Sequence, residues 1–263
     1  MRFTKMQGLG NDYLYIWGEA PDDASALSRR LSDRHFGVGA DGLIFISPSA
    51  AADFKMRIFN ADGSEAQMCG NGIRCVGKYV YDKGYTQKLR LRIETLSGIK
   101  PLELQLRDGR VSAVSVSMGI ARTLPERELT VGDYRVTLTP VSVGNPHAVL
   151  FVSDAAAAPV TALGPAIERH PAFPGGVNVE FVQALSETRL RMRVWERGSG
   201  VTLACGTGAC AAAAAAIQKG LCARERPILV DLDGGTLELR VDKDGGVRMT
   251  GPARAVFEGE APV

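Results

Sequence analysis

Along much of this 263-residue chain apolar and polar residues alternate, the period-two pattern of half-buried strands. Residues 89–93, 101–106, 111–116, 134–141, 190–195 and 237–241 all carry it. Asp108-Gly109 between two of these runs predicts a hairpin turn. Residues 249–257 are strand-like after the Gly245-Gly246 turn, and are expected to pair back into the first half. Helical patterns are fewer. One covers 24–36 and ends at Gly37. A second covers about 71–83, with Ile73, Val76 and Val80 on one face, Lys83 in the last turn and Gly84 as its stop. A third, 207–219, is almost all alanine and closes with Lys219-Gly220.

The second and third helical segments are copies in layout. Each opens with Cys-Gly-x-Gly: Cys69-Gly70-Asn71-Gly72 and Cys205-Gly206-Thr207-Gly208. Gly84 and Gly220 each stand 15 residues after their cysteine, and Asn60 and Glu196 each stand nine before it. Such self-similarity predicts a duplicated α+β fold. Two pseudo-symmetric domains are expected, each a curved β-sheet wrapped around a central helix. The first half takes 1–117 plus about 249–263 and carries Cys69; the second takes 118–248 and carries Cys205. A site between the two halves is the expectation that follows.

Composition narrows the function. Apolar residues make up 45% of the chain, enough for real cores, and a formal charge of +2 gives no footprint for nucleic acid. No apolar run reaches the roughly 20 residues of a membrane span. The first residues, Met1 to Met6, lack the apolar segment of a secretory signal, so the expected location is cytoplasmic. Five cysteines, an odd number, argue against a disulfide framework in that compartment. Cys75, Cys210 and Cys222 read as small buried hydrophobes. Their spacing is not that of a zinc site, and only three histidines are present.

Cys69 and Cys205 differ from the others because each stands just before a helix start. The unpaired N–H groups and positive dipole end there favour a thiolate over the thiol, whose free pKa is about 8.5. The same N–H groups can bind a carboxylate. A carboxylate held there gains charge as its α-carbon loses a proton, and donors aimed at that charge lower the barrier. Two such starts describe a two-base machine, in which one thiolate removes an α-proton and the other thiol returns one to the opposite face. A thiol redox or metal-binding module is the alternative from a different class; it predicts bound zinc or a functional disulfide between the pair.

Five ordered motifs resemble the diaminopimelate epimerase family along nearly the whole chain. They are residues 3–13 (Phe-Thr-Lys-Met-Gln-Gly-Leu-Gly-Asn-Asp-Tyr), 60–75 through the first Cys-Gly-x-Gly, Gly144-Asn145-Pro146-His147, 176–180 (Gly-Val-Asn-Val-Glu), and 196–208 through the second. The resemblance implies conversion of LL- to meso-2,6-diaminopimelate, for lysine and peptidoglycan precursors, by a homodimer that uses neither pyridoxal phosphate nor metal. It implies Cys69 and Cys205 as the acid/base pair, with His147 and Glu196 supporting the thiols. The N–H groups of Gly70, Asn71, Gly206 and Thr207 would hold the reacting carboxylate. Asn11, Asn60, Asn145, Asn178 and Arg197, together with Glu196, would contact the rest of the substrate. An arginine suits the distal carboxylate because its planar fork binds it bidentately. Racemases of proline, hydroxyproline or histidine share the implied architecture, but a smaller substrate has less use for Arg197.

Two positions depart from the family. Gln7 stands where histidine is common, and Gly42 where many bacterial members place a substrate-touching glutamine. Residues 37–42 also fit the dinucleotide pattern G-x-G-x-x-G. That pattern requires a strand before it and a helix after it, whereas here it follows a helix and precedes the strand-like 43–46, so it reads as a turn.

Overall fold

The computed structural model describes residues 1–262. They form two compact units: Met1–Val116 with the segment from Gly251 onward, and Ser117–Thr250. Position 263 of the expected C-terminal return lies outside the described residues. Four α-helices occur among the described residues: α1 (Ala24–Ser32), α2 (Gly70–Asp82), α3 (Val160–Glu168) and α4 (Gly206–Gln218).

In the first unit the strand Arg2–Gly8 lies antiparallel between Arg254–Glu260 and Asn11–Trp17. Asn11–Trp17 runs parallel to Gly42–Pro48 after the α1 crossover, and Gly42–Pro48 forms a hairpin with Phe54–Asn60. Phe54–Asn60 pairs with the short Glu65–Ala66 and, after the α2 crossover, runs parallel to Arg90–Thr95. Antiparallel Gly98–Arg107 and Arg110–Ile120 follow. The turn between those two is Asp108-Gly109, both residues in the left-handed region (φ 53° and 72°), as a two-residue hairpin of this kind requires.

The second unit repeats the plan strand for strand. Pro146–Phe151 runs parallel to Asn178–Ser186 after α3, and Asn178–Ser186 forms a hairpin with Arg189–Glu196. Arg189–Glu196 pairs with the short Gly200–Val201 and, after α4, runs parallel to Ile228–Leu232. Antiparallel Gly235–Val241 and Gly246–Pro252 follow. The fold is therefore α+β, with two units of one layout and a central helix, α2 or α4, in each.

Each sheet is covered on both faces. Leu14, Ile16, Leu43 and Phe45 pack with Leu27 and Leu31 of α1. Their neighbours point the other way: Tyr15 donates to the Gly72 carbonyl of α2 at 3.2 Å, and Ile44 lies against Gly72. Strands buried on both sides lose the alternation that marks the outer hairpins, and Asn11–Trp17 and Gly42–Pro48 are nearly continuously apolar for that reason. In α4 the residues Ala209–Ala213 are completely buried, their small side chains letting the helix lie close to its sheet.

The structure departs from the sequence expectations in three places. α1 stops at Ser32, four residues short of Phe36, and the chain turns at Asp33, whose carboxylate caps the His35 and Phe36 N–H groups at 2.7 Å. The run at 249–257 is two strands, Gly246–Pro252 and Arg254–Glu260, broken at Ala253. α3 carries no helical signal because Pro165 and Gly164 interrupt it. Gly164 is required there, since a Cβ would stand 2.6 Å from the Trp195 ring. Residues 37–41 form a turn that leads into Gly42–Pro48, so the dinucleotide-like pattern has no helix to open.

Candidate functional site

Both cysteines sit where the motif predicts, as the N-caps of the central helices. Cys69 has extended backbone geometry (φ −134°, ψ 117°), and its Sγ accepts the Gly72 N–H at 3.3 Å. Cys205 repeats this (φ −116°, ψ 111°), and its Sγ accepts the Gly208 N–H at 3.4 Å. In each case the cysteine carbonyl takes the next N–H, from Ile73 or Ala209. Gly70, Asn71, Gly206 and Thr207 thus occupy the first turn ahead of those bonds, where helix N–H groups have no intrahelical acceptor.

The Cys69 half-site is built on the strand Asn11–Trp17. Asn11 Oδ1 accepts from the Cys69 thiol at 3.3 Å. The amide is held in that orientation by Asp41, whose Oδ2 accepts from Asn11 Nδ2 at 2.7 Å and from the Asp12 N–H at 3.0 Å. The Tyr13 side chain lies beside Cys69, Asn11 and Asp41. Burial, then the neighbouring Cys69 and Asp41 charges, push this phenol well above its ordinary range. Asn71 Oδ1 accepts from Arg74 Nη2 at 3.0 Å, and Arg74, fully buried, also reaches the carbonyls of Gly70 and Pro252. Asn60 is in register with Gly42, next to Asp41; its Nδ2 donates to Ser64 Oγ at 3.0 Å, closing the turn that follows its strand.

Gly42 leaves no room for the glutamine common at that position. A Cβ there would stand 2.2 Å from the Phe59 carbonyl and 2.9 Å from the Tyr13 ring. Gln7 accepts the Gly10 N–H at 2.9 Å and so closes the turn between the first two strands.

The Cys205 half-site is built differently. His147 and Glu180, both buried, pair through Nδ1 and Oε1 at 2.7 Å. His147 Nε2 faces Asn145 Oδ1 at 3.1 Å, and Asn145 Nδ2 donates to Thr207 Oγ1 at 3.3 Å. Thr207 Oγ1 lies 3.6 Å from the Cys205 sulfur. Glu196 lies beside Cys205 and accepts a short bond from Thr202. Asn178, in register with His147, accepts the Arg197 N–H at 2.9 Å and donates to the Pro146 carbonyl at 3.2 Å. The Arg197 guanidinium is anchored on the Gly175 carbonyl at 2.8 Å.

A helix start favours a thiolate at either cysteine and leaves open which one carries it. Burial, then the Glu196 and Glu180 carboxylates, push the Cys205 thiol well above its usual range; the Thr207 hydroxyl and the Gly208 N–H pull the other way without prevailing. Burial likewise raises Glu196, against the opposing pull of Thr202 and Cys205.

Three contributors escaped the sequence reading. Asp41 lies inside the dinucleotide-like turn. Tyr13 and Glu180 lie in strands that read simply as buried. For Glu180 a signal existed: it follows Asn178 by two, so both share one face of a strand whose other neighbours, Val177, Val179, Phe181 and Val182, are all apolar and buried.

The class follows from the fold. A probable proline racemase from Agrobacterium radiobacter shares it with a TM-score of 0.76 at 18% identity, over 100% of this chain and 93% of that one. A PhzF-family phenazine biosynthesis protein from Bacillus anthracis shares it with a TM-score of 0.81 at 17% identity, over 100% and 99%. Sequence then selects one family within that fold. The diaminopimelate epimerase family model matches residues 3–124 and 139–256. The diaminopimelate epimerase of Acetivibrio thermocellus is 50% identical over 278 residues, covering 99% of this chain and 98% of its own. That of Methanococcus maripaludis is 49% identical over 279 residues, covering 100% of both. The chain belongs to the diaminopimelate epimerase family and is an isomerase. No helix among the described residues is long and apolar enough to cross a membrane.

Proposed function

We propose that this enzyme interconverts LL- and meso-2,6-diaminopimelate by moving one α-proton between Cys69 and Cys205, with no cofactor. One observation carries the reading: two cysteines, and only these two of five, cap the first turns of equivalent helices in a duplicated fold. Family membership supports the substrate.

The differences between the half-sites support one assignment of the protons. Cys205 rests as the thiol, because it is buried beside two carboxylates. It is therefore the donor, and Cys69 takes the α-proton in the half-cycle that starts from this state. Glu196, beside Cys205, disfavours loss of the proton there; in the reverse direction the Cys205 thiolate takes the α-proton and the Cys69 thiol returns one. The first-turn N–H groups of Gly206 and Thr207, with those of Gly70 and Asn71, hold the α-carboxylate as charge develops. Asn11, Asn145, Asn178 and Arg197 orient the ammonium groups and the distal carboxylate, and Asn60 supports the turn beside them. Lysine and peptidoglycan precursor synthesis, a cytoplasmic location and a homodimer complete the reading on the family resemblance.

The test is incubation of purified protein with LL-diaminopimelate in heavy water without pyridoxal phosphate. Deuterium should enter one α-position as the meso isomer forms. Absence of exchange, or exchange only with pyridoxal phosphate, sinks the reading.

A further inference from the structure

The turn that carries Arg197 is gripped by an acid, Glu168, that lies outside every motif pointing to the site. We propose that Glu168 is a positioning residue for Arg197: it holds the backbone of that turn so that the guanidinium fork is in place for the substrate's distal carboxylate. The proposal rests on the reading of Arg197 as the group that selects diaminopimelate.

Glu168 is the last residue of α3. A carboxylate there faces the negative end of the helix dipole, an unfavourable place for it. Both of its hydrogen bonds leave the helix. Oε2 accepts from the Trp195 indole N–H at 2.6 Å, and Oε1 accepts from the Gly198 backbone N–H at 3.0 Å. An indole N–H and a backbone N–H only donate, so both carboxyl oxygens must accept and the arrangement has one reading. Trp195 and Gly198 bracket the site pair Glu196-Arg197.

Arg197 is thereby held on both sides of its Cα. Its own N–H goes to Asn178 Oδ1 at 2.9 Å, and the next N–H, of Gly198, goes to Glu168. The Ser199 N–H closes the turn onto the Glu196 carbonyl at 3.0 Å, with Gly198 in the left-handed region (φ 78°). The side chain is seated as well. Nη1 donates to the Gly175 carbonyl at 2.8 Å. Gly176, also left-handed (φ 73°), lies against the stem, where a Cβ would stand 2.8 Å from Arg197 Cδ and 3.2 Å from Cγ. Held in this way, Arg197 is still exposed, and among the described residues no carboxylate pairs with it. The Nε–Nη2 edge of the fork is left for a bidentate partner. A long side chain that is ordered before the ligand arrives loses less freedom on binding. Without Glu168 the glycine after Arg197 is free to rotate, and the fork moves with it. The effect of Glu168 therefore falls on capture of the far carboxylate and not on proton transfer at the α-carbon.

Steady-state kinetics of the full chain, read by α-deuterium incorporation into LL-diaminopimelate, separate capture from chemistry. Glu168→Gln keeps the size of the side chain but turns an NH₂ toward one of the two donors. It should raise KM about tenfold with kcat within about twofold. Arg197→Met should raise KM further. Glu168→Gln added to Arg197→Met should then change KM by less than about twofold, because the fork it positions is gone. An unchanged KM in Glu168→Gln, a loss confined to kcat, or losses that multiply in the double variant would each overturn the proposal; multiplying losses are what a merely structural acid gives. Trp195→Phe removes the indole N–H while keeping a ring over Gly164, and should raise KM about threefold. It decides the matter if Glu168→Gln does not fold, an unchanged KM again overturning the proposal. Failure of the diaminopimelate reading is recognised separately, as a wild-type enzyme without exchange activity. If the wild type is active and Arg197→Met keeps the wild-type KM, Arg197 does not select the substrate, and the proposal falls with that assignment.

Discussion

The two half-sites share one scaffold and almost nothing else. Each has a cysteine at an N-cap, a sulfur accepting the N–H three residues on, and a glycine at that third position. Beside Cys69 are the Asn11 amide and the Tyr13 phenol, with a buried arginine, Arg74, in the same helix and the apolar Ile44 and Met56 against Gly72. Beside Cys205 are the Thr207 hydroxyl and the Glu196 and Glu180 carboxylates, with Thr202 bonded to the first acid and His147 to the second. Duplication supplied the backbone, and side-chain divergence set the charge. On the proposed two-thiol reading, that asymmetry gives the single resting proton a defined place.

The sharpest way to break the comparison is to remove each sulfur in turn. Cys69→Ala and Cys205→Ala should each reduce epimerisation by about a thousandfold or more, the scale of a lost acid or base. The readout is α-deuterium incorporation with the meso product resolved. Cys222→Ala should leave the rate unchanged. If one of the two catalytic substitutions keeps near-normal activity, the half-sites are not partners and the two-thiol reading falls.

Next in size is the paired substitution of the third glycines. In Gly72→Ala the new carbon meets Ile44 Cδ1 at 2.8 Å, the movable end of an apolar side chain. Alanine is also the better helix former by about 1 kcal/mol, so activity should stay within about threefold and stability within about 1 kcal/mol. In Gly208→Ala the carbon meets Glu180 Oε1 at 2.8 Å, an atom already bound to His147. Breaking a buried pair costs about 3 kcal/mol, and the rate should fall by about a hundredfold. Equal effects at the two positions would show that the glycines serve only the helix backbone.

The shared scaffold was legible in the sequence, and the divergence was not. Equal offsets from Cys69 to Gly84 and from Cys205 to Gly220 gave both helix starts, and the helices Gly70–Asp82 and Gly206–Gln218 begin within one residue of the expected positions. The alternating hairpins were equally visible, because one of their faces meets solvent. α3 was hidden by Pro165 and by Gly164, the glycine being imposed by the neighbouring Trp195 rather than by the local sequence. Glu180 and Tyr13 were hidden because strands covered on both faces carry no polarity pattern to separate working residues from packing. Asn11 was legible as a motif residue, but not Asp41, 30 positions away, which turns its amide toward Cys69. The helix-start argument left open which cysteine rests as thiolate, because the burial and the two acids that raise the Cys205 thiol come from the fold.

The smallest expected effect isolates that electrostatic contrast from catalysis. The Cys205 thiol is raised above its ordinary 9.0 in the folded protein. Below the unfolded-state value, about 8.5, both states are protonated and the thiol contributes nothing to pH dependence. As the pH rises through that value the unfolded chain loses its proton while the folded protein keeps it. The native state then binds more protons than the unfolded one, so stability must fall with rising pH. One such buried thiol contributes a slope of about 1.4 kcal/mol per pH unit. Cys75, pushed up by burial to about 11, contributes in the same direction in the first unit. Chemical denaturation between about pH 8.5 and 10 should therefore show wild-type stability declining. Cys205→Ala should decline less steeply by about that one-thiol slope, and Cys75→Ala should remove a similar share. A Cys205→Ala variant with the wild-type slope would mean that Cys205 ionises as easily in the folded protein as in the unfolded one. The two carboxylates would then not hold its proton, and the assignment of Cys205 as the resting donor would fail while the cysteine pair itself survived.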